Sequence, residues 1–178
     1  MEVSHEARHQ SSANSTYASP EAIAQVAQEA ERLGCGAVWV QERQLRPTHP
    51  RQPYGGFMDP WPENYRIAFD PIESLTYAAA PTQRIRLGTS VLDVLYHSPV
   101  VLGRRLATLD CLSHGRLIAG LAQGWSDDEF EVVNVPRKRT GAGFEEFLRA
   151  HLFIDFDQSD TAPDAQLRQL ADLVAAAT

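Results

Sequence analysis

The stretch Pro81-Thr82-Gln83-Arg84-Ile85-Arg86-Leu87-Gly88-Thr89-Ser90-Val91-Leu92 decides the fold. Arg84–Thr89 reads as a β-strand, and Val91 to Leu95 continues the apolar run. Helix signals enclose it on both sides. Upstream, Asp70-Pro71-Ile72-Glu73 supplies a cap acceptor with an acid three residues later, and Pro81 ends the helix after about Ala80. Downstream, Ser98-Pro99 opens a helix that runs to Gly115, with Leu102, Leu106, Leu109 and Leu112 as its expected buried stripe. A strand held between two helices is the repeating unit of a parallel sheet.

The same alternation extends both ways. Ser19 and Pro20 begin a helix that Gly34 stops, with Ile23, Val26, Ala27, Ala30 and Leu33 on one stripe. The short run Ala37-Val38-Trp39-Val40 follows as a buried strand. Leu117 to Ala122 is a further strand, and Ser126-Asp127-Asp128-Glu129 is a second capping box, for a helix through Val133. Arg137 to Gly143 reads as a loop, Phe144–Arg149 as a helix, and Leu152-Phe153-Ile154-Asp155-Phe156 as a fourth strand. A Pro163-started helix with Leu167, Leu170, Leu173 and Val174 closes the chain. Residues 41–71 hold six of the eleven prolines together with Tyr54, Phe57, Trp61 and Tyr65. A connection of that length is expected to be functional or disordered. Four strands alternating with helices imply an α/β fold, either half of a (β/α)8 barrel or a small open sheet. Residues 1–18 form a polar tail expected to be disordered, and 19–178 a single domain.

With 16 basic and 23 acidic residues the formal charge is −7, over a chain of 178 residues that is 43% apolar. The acidic balance argues against a nucleic-acid binder, whose phosphate contacts would want a basic face, and against an anionic membrane surface. No run approaches the ~20 apolar residues of a membrane span. The start of the chain lacks the basic and apolar regions of a signal peptide. Cys35 and Cys111 form no CxxC pair and are read as reduced thiols in apolar surroundings, which suits a cytoplasmic protein. A complete barrel needs about 250 residues, more than this chain has.

Ligands of parallel α/β folds bind at the C-terminal strand ends. Three places qualify: Gln41-Glu42-Arg43, Ser90-Val91 through Tyr96-His97, and Gln123-Gly124-Trp125 with Ser126 to Asp128. Gly124 admits close backbone approach, and Trp125 offers a face for a flat ring. The same segment also serves as a plain turn before a capped helix. Glu42 follows four buried positions, where a carboxylate is held near a substrate or pairs with Arg43. His97 and His49 are candidate proton donors, while His114 reads as a helix C-terminal residue. His5-Glu6-Ala7-Arg8-His9 matches the zinc pattern H-E-x-x-H, but lies in a polar tail without a third ligand, so no metal site is expected.

Several runs together resemble the bacterial-luciferase-like flavin monooxygenases. They are residues 37–42, 81–92, 99–102, 107–117 and 120–125, followed by Glu129-Phe130. Over about 19–150 the similarity is greatest to the branch using the deazaflavin coenzyme F-420, and relatives using FMN share much of it. The resemblance implies a TIM-barrel ancestry, and a non-prolyl cis peptide at Ser90-Val91 against the cofactor ring. It places Gln123, Gly124, Trp125 and Asp128 around that ring and its side chain. The family carries an acid followed by histidine after its strand, and here Arg43 stands where that histidine is expected. The polar N-terminus has no counterpart of the family's first strand, and 152–178 is similar to its final strand and helix. A truncated, partial TIM barrel is therefore expected, without the middle strands and substrate insertion. The implied function is oxidoreduction with FMN or F-420, by hydride transfer or monooxygenation of a small organic substrate. Ser90, Val91, Gln123, Gly124, Trp125 and Asp128 bind the cofactor in this reading, Glu42 is the catalytic group, and the chain is a homodimer. The alternative is a non-catalytic remnant acting as a flavin-binding or interaction subunit.

Overall fold

The helices begin where side chains can satisfy their free N–H groups. The computed structural model describes residues 18–152. In α1 (Pro20–Arg32) the Ser19 hydroxyl accepts the Ala22 N–H at 3.1 Å. In α2 (Pro71–Ala79) the Asp70 carboxylate accepts the Ile72 N–H at 2.8 Å and the Glu73 N–H at 3.4 Å. The hydroxyl of Ser126 accepts the Glu129 N–H at 3.4 Å and opens α4 (Asp127–Val132). Ser98 precedes α3 (Pro99–Leu112) without a side-chain cap bond.

Strands β1 (Ala37–Val40), β2 (Arg86–Thr89) and β4 (Leu117–Ile118) form one parallel sheet in the order β1-β2-β4. Beyond it, β3 (Leu92–Asp93) pairs with β5 (Leu121–Ala122), also parallel. Neighbours in space are neighbours in chain order, as in a barrel wall; a doubly wound sheet would reverse its order. The fold is thus a partial α/β barrel. Its core joins Ile23, Ala27 and Ala30 of α1, Ile72, Leu75 and Ala78 of α2, Leu102, Leu106 and Leu109 of α3, and Val38, Val40 and Leu87 of the sheet.

One register change shapes the site. Leu87 and Gly88 pair with Leu117 and Ile118, an offset of 30, whereas Leu92 and Asp93 pair with Leu121 and Ala122, an offset of 29. Three residues, Thr89 to Val91, therefore oppose two, Ala119 and Gly120, which makes a β-bulge. The Ser90–Val91 peptide within it is cis, as the resemblance implies. The bulge divides the expected single strands at residues 84–95 and 117–122 into two short pieces each.

Some expectations need correction. Leu112 is 57% exposed and Leu33 61% exposed, because both apolar stripes rotate off the core at the helix ends. Cys111 is exposed on α3 rather than in apolar surroundings. Leu152 ends helix α5 (Ala142–Leu152) instead of starting a strand. Phe144 and Phe147 face the core at helical spacing, so this segment keeps a period near 3.6. The rest of that expected strand, the Pro163 helix, residues 1–17 and the His5/His9 motif lie outside the described residues.

The entry to β2 hangs on one carboxylate. Glu31 of α1 accepts the N–H groups of Gln83 at 3.0 Å, Arg84 at 2.6 Å and Ile85 at 2.8 Å. These bonds, that of Arg84 first, lower its pKa to about 2. Because the pKa is depressed, the contribution is present above the ordinary carboxylate range and disappears as pH falls toward about 2. Glu31→Ala should cost about 1 kcal/mol at neutral pH, an amount kept small by solvent on the open side of the carboxylate. Urea unfolding should show the difference closing in acid.

Candidate active site

The strand ends converge on a cleft of about 280 Å³, just below the usual size of small-molecule pockets. β1 delivers Gln41, Glu42 and Arg43, the bulge delivers Ser90 and Val91, β3 delivers Asp93, and β5 leads into Gln123, Gly124 and Trp125. Two backbone bonds pin β1 to the bulge: the Ser90 N–H to the Val40 carbonyl at 2.8 Å, and the Glu42 N–H to the Val91 carbonyl at 3.2 Å. Val91 stands 36% exposed on the bulge, an apolar side chain presented at the cleft.

Glu42 is buried and its two oxygens are occupied. Oε2 accepts the Asp93 N–H at 2.7 Å; Oε1 accepts Nε2 of Gln44 at 2.8 Å and lies 2.7 Å from Nε2 of His97. That bonding makes Glu42 a tie between β1, β3 and the turn that follows. Arg43, its side chain 6% exposed, lies between two further acids. Its Nη2 donates to Asp93 Oδ2 at 3.3 Å, while Nη1 faces Glu129 Oε2 at 3.3 Å without hydrogen-bond alignment. The guanidinium also lies 5.3 Å from the Trp125 ring centroid, a cation–π arrangement. Glu129 is fully buried, and its Oε1 accepts the Gln44 N–H at 2.8 Å.

Three buried carboxylates thus share one guanidinium and one imidazole. Burial raises the pKa of Asp93 to about 6; Arg43 and the Gly124 N–H oppose the rise, and Glu42 and Glu129 add to it. Burial raises Glu129 too, again against Arg43. Tyr96 is pushed up by burial and by Glu129, and its hydroxyl has no hydrogen-bond partner in its buried position.

The long connection after β1 builds the opposite wall. Trp61 stacks on Trp125 at 5.5 Å, and Tyr54 meets both edge-on at 5.3 and 5.5 Å. The Tyr54 hydroxyl lies 2.7 Å from that of Tyr65, and burial pushes the Tyr54 pKa up to about 12. Trp61 Nε1 donates to the Gln52 carbonyl at 2.9 Å, and Gln52 Nε2 donates to the Trp125 carbonyl at 3.1 Å.

Of the residues predicted from sequence, Glu42, Ser90, Val91, Gln123, Gly124 and Trp125 line this one cleft. Asp128 does not line it; it accepts the Arg51 N–H at 3.2 Å and fastens the long connection to α4. Gln123 also accepts the Gly141 N–H at 2.7 Å, before α5. His49 is exposed beside Thr48, whereas His97 joins the cluster through Glu42. Sequence reading missed Asp93, although a lone carboxylate inside the apolar run Val91 to Leu95 was a visible signal. It also missed Glu129 as a buried charge and Tyr54 as a wall. No group able to hold a metal ion occurs among the described residues.

Residues 1–152 match the family model for luciferase-like monooxygenases. The chain belongs to this family. Among its luciferase-like relatives is an F420-dependent glucose-6-phosphate dehydrogenase of Kineococcus radiotolerans, 33% identical over 122 residues, covering 67% of this chain and 32% of that one. An uncharacterised protein of Mycobacterium tuberculosis is 42% identical over 88 residues, covering 49% and 31%. Among solved structures, the monooxygenase RslO1 from Streptomyces bottropensis superposes with a TM-score of 0.62 at 27% identity, covering 75% of this chain and 37% of that one. This luciferase-like chain thus spans about a third of the length of the curated relatives it matches.

Proposed function

We propose that the chain is a luciferase-like oxidoreductase. It holds the ring of a flavin-type cofactor, FMN or F-420, across its strand ends, for hydride transfer or monooxygenation of a small organic substrate. The observation that carries this reading is the bulge, which sets Val91 out of the sheet as an apolar face opposite the Tyr54–Trp125 wall. The fit to a planar ring is supported from below. Gly124 has φ +79°, and a Cβ there would stand 2.6 Å from the Tyr96 hydroxyl, so backbone rather than side chain lines that edge. The cofactor supplies the two-electron chemistry when bound. The chain's own residues orient the ring, exclude water and manage a proton.

Kinship with an F420-dependent dehydrogenase supports F-420, and FMN rests on the resemblance to relatives that use it. The outer edges of β1 and β4 pair with no further described strand, which favours a homodimer that covers an edge. A cytoplasmic setting is proposed on the reading of Cys35 and Cys111 as free thiols. No helix among the described residues is long and apolar enough to cross a membrane.

Titrating FMN and F-420 into the chain, with molar mass measured on the same sample, tests the reading. Saturable binding of at least one cofactor by a dimer is expected, and Val91→Asp should weaken it at least about tenfold by burying a charge against the ring. A folded chain that binds neither would overturn the reading in favour of a non-catalytic interaction subunit.

A further inference from the structure

We infer that Asp93 is the proton-exchanging group of the cleft: a buried carboxyl that opens onto the ligand space and passes a proton to or from what binds there. The inference rests on the flavin-type reading of the same site. It starts from elimination among the charged and acidic groups at the cleft, where the Tyr54 hydroxyl is bonded to Tyr65 and its pKa is pushed up to about 12 by burial. The Arg43 guanidinium offers only N–H donors and no acceptor, and it is engaged by Asp93 and the Glu42 carbonyl. Both oxygens of Glu42 are occupied by Asp93 N–H, Gln44 and His97, so that carboxylate holds the backbone of β3 in place. Glu129 is buried but is not among the cleft-lining residues.

Asp93 is different in placement. It is 3% exposed, lies on β3 just past the bulge, and lines the cleft with Val91 and Gly124. The groups facing it are Glu42 and Arg43 after β1, Tyr96 in the following turn, and Glu129 of α4. Burial first, and then the two acids, push its proton on, while Arg43 and the Gly124 N–H, which both bond the carboxylate, pull it off. That balance leaves the neutral and charged forms close in free energy near neutral pH, as acid–base exchange requires. With an oxidised flavin-type cofactor bound, the Asp93 carboxylate would accept the hydroxyl proton of a carbinol substrate, and the cofactor would supply the two-electron acceptor for the hydride from the same carbon. The substrate loses two electrons and two hydrogens, and becomes a carbonyl compound.

Lumiflavin, an uncharged flavin ring without a phosphate tail, tests this without a known substrate. Covering the cleft with an uncharged ring strips water from the carboxylate and so favours the protonated form. Lumiflavin should therefore bind about tenfold more tightly near pH 5 than near pH 8. In Asp93→Asn, which keeps shape but cannot titrate, affinity should be flat with pH. A measurement on the unsubstituted chain guards against a variant that fails to fold. With aspartate-selective carboxyl ¹³C labelling, one resonance should titrate near pH 6, and its midpoint should rise on adding lumiflavin. A pH slope that persists in Asp93→Asn, a flat profile in the native chain, or an unmoved midpoint would each remove Asp93 from this role and leave the cofactor reading standing. Failure of lumiflavin to bind at any pH would instead sink the cofactor reading, and the inference with it.

Discussion

Replacing Arg43 by methionine should lower the unfolding free energy by about 3–5 kcal/mol at neutral pH, the usual cost of removing one partner from a buried ion cluster. Methionine keeps most of the packing volume against Trp125, so the loss reports charge. Asp93 and Glu129 would be left facing Glu42 with only the His97 imidazole near. The pH dependence follows from the sign of the shifts. Asp93 already has its pKa raised to about 6, and Glu129 is raised too. A raised carboxyl binds more protons folded than unfolded, so its contribution is largest at and below about pH 4 and is lost as pH rises through the window to about 6. For Asp93, the gap between 3.8 and about 6 corresponds to about 3 kcal/mol lost across that window. Without Arg43 both carboxyls titrate higher still. The variant should therefore approach native stability near pH 4 and diverge from it as pH rises. Urea midpoints at a series of pH values would show this. A loss equal at every pH would trace instead to packing, and would dismiss the charge account.

The same cluster shows what could be read in the sequence and what could not. The helix starts were legible because Ser19-Pro20, Asp70-Pro71 and Ser126 with Glu129 act on backbone groups within a few residues. The wall of parallel strands was legible because buried strands are short apolar runs between such starts. The bulge was not read from pattern: an offset change from 30 to 29 arises between two strands about thirty residues apart, and leaves each apolar run unbroken. Only the family resemblance marked Ser90–Val91. Asp93 was visible as an acid in an apolar run, yet its meaning depends on Arg43, fifty positions earlier, and on Glu129. The Tyr54–Trp61–Trp125 wall was hidden for another reason. Trp125 was read as a ring face, but its partners Tyr54 and Trp61 belong to an irregular connection whose packing follows no period. Helix ends misled the stripes, since Leu33 and Leu112 keep the spacing after the helix has turned them to solvent.

Gly120→Ala should destabilise the chain by about 3 kcal/mol and abolish cofactor binding at any concentration that saturates the native chain. A Cβ at Gly120 would lie 2.1 Å from the Thr89 carbonyl oxygen and 3.2 Å from its carbon. That neighbour is backbone, so no rotamer relieves the clash. The segment that must give way is also the least able to. The Thr89 hydroxyl donates to the Gly120 carbonyl at 2.9 Å and accepts the Gly120 N–H at 2.9 Å, while the Leu92 N–H donates to the same carbonyl at 2.9 Å. Moving Thr89 shifts the bulge that carries Ser90 and Val91, so the damage reaches the cleft as well as the sheet. Gly34→Ala is the fitting control. Gly34 has φ +80° and open space around its Cβ direction, so alanine there costs only the backbone strain of about 1–2 kcal/mol, before the start of β1 and at the opposite end of that strand from the cleft. The two variants should separate cleanly in paired thermal melts and lumiflavin titrations. Gly34→Ala loses some stability and keeps its affinity, whereas Gly120→Ala loses both. Equal affinities in the two would mean that the bulge does not shape the ring site.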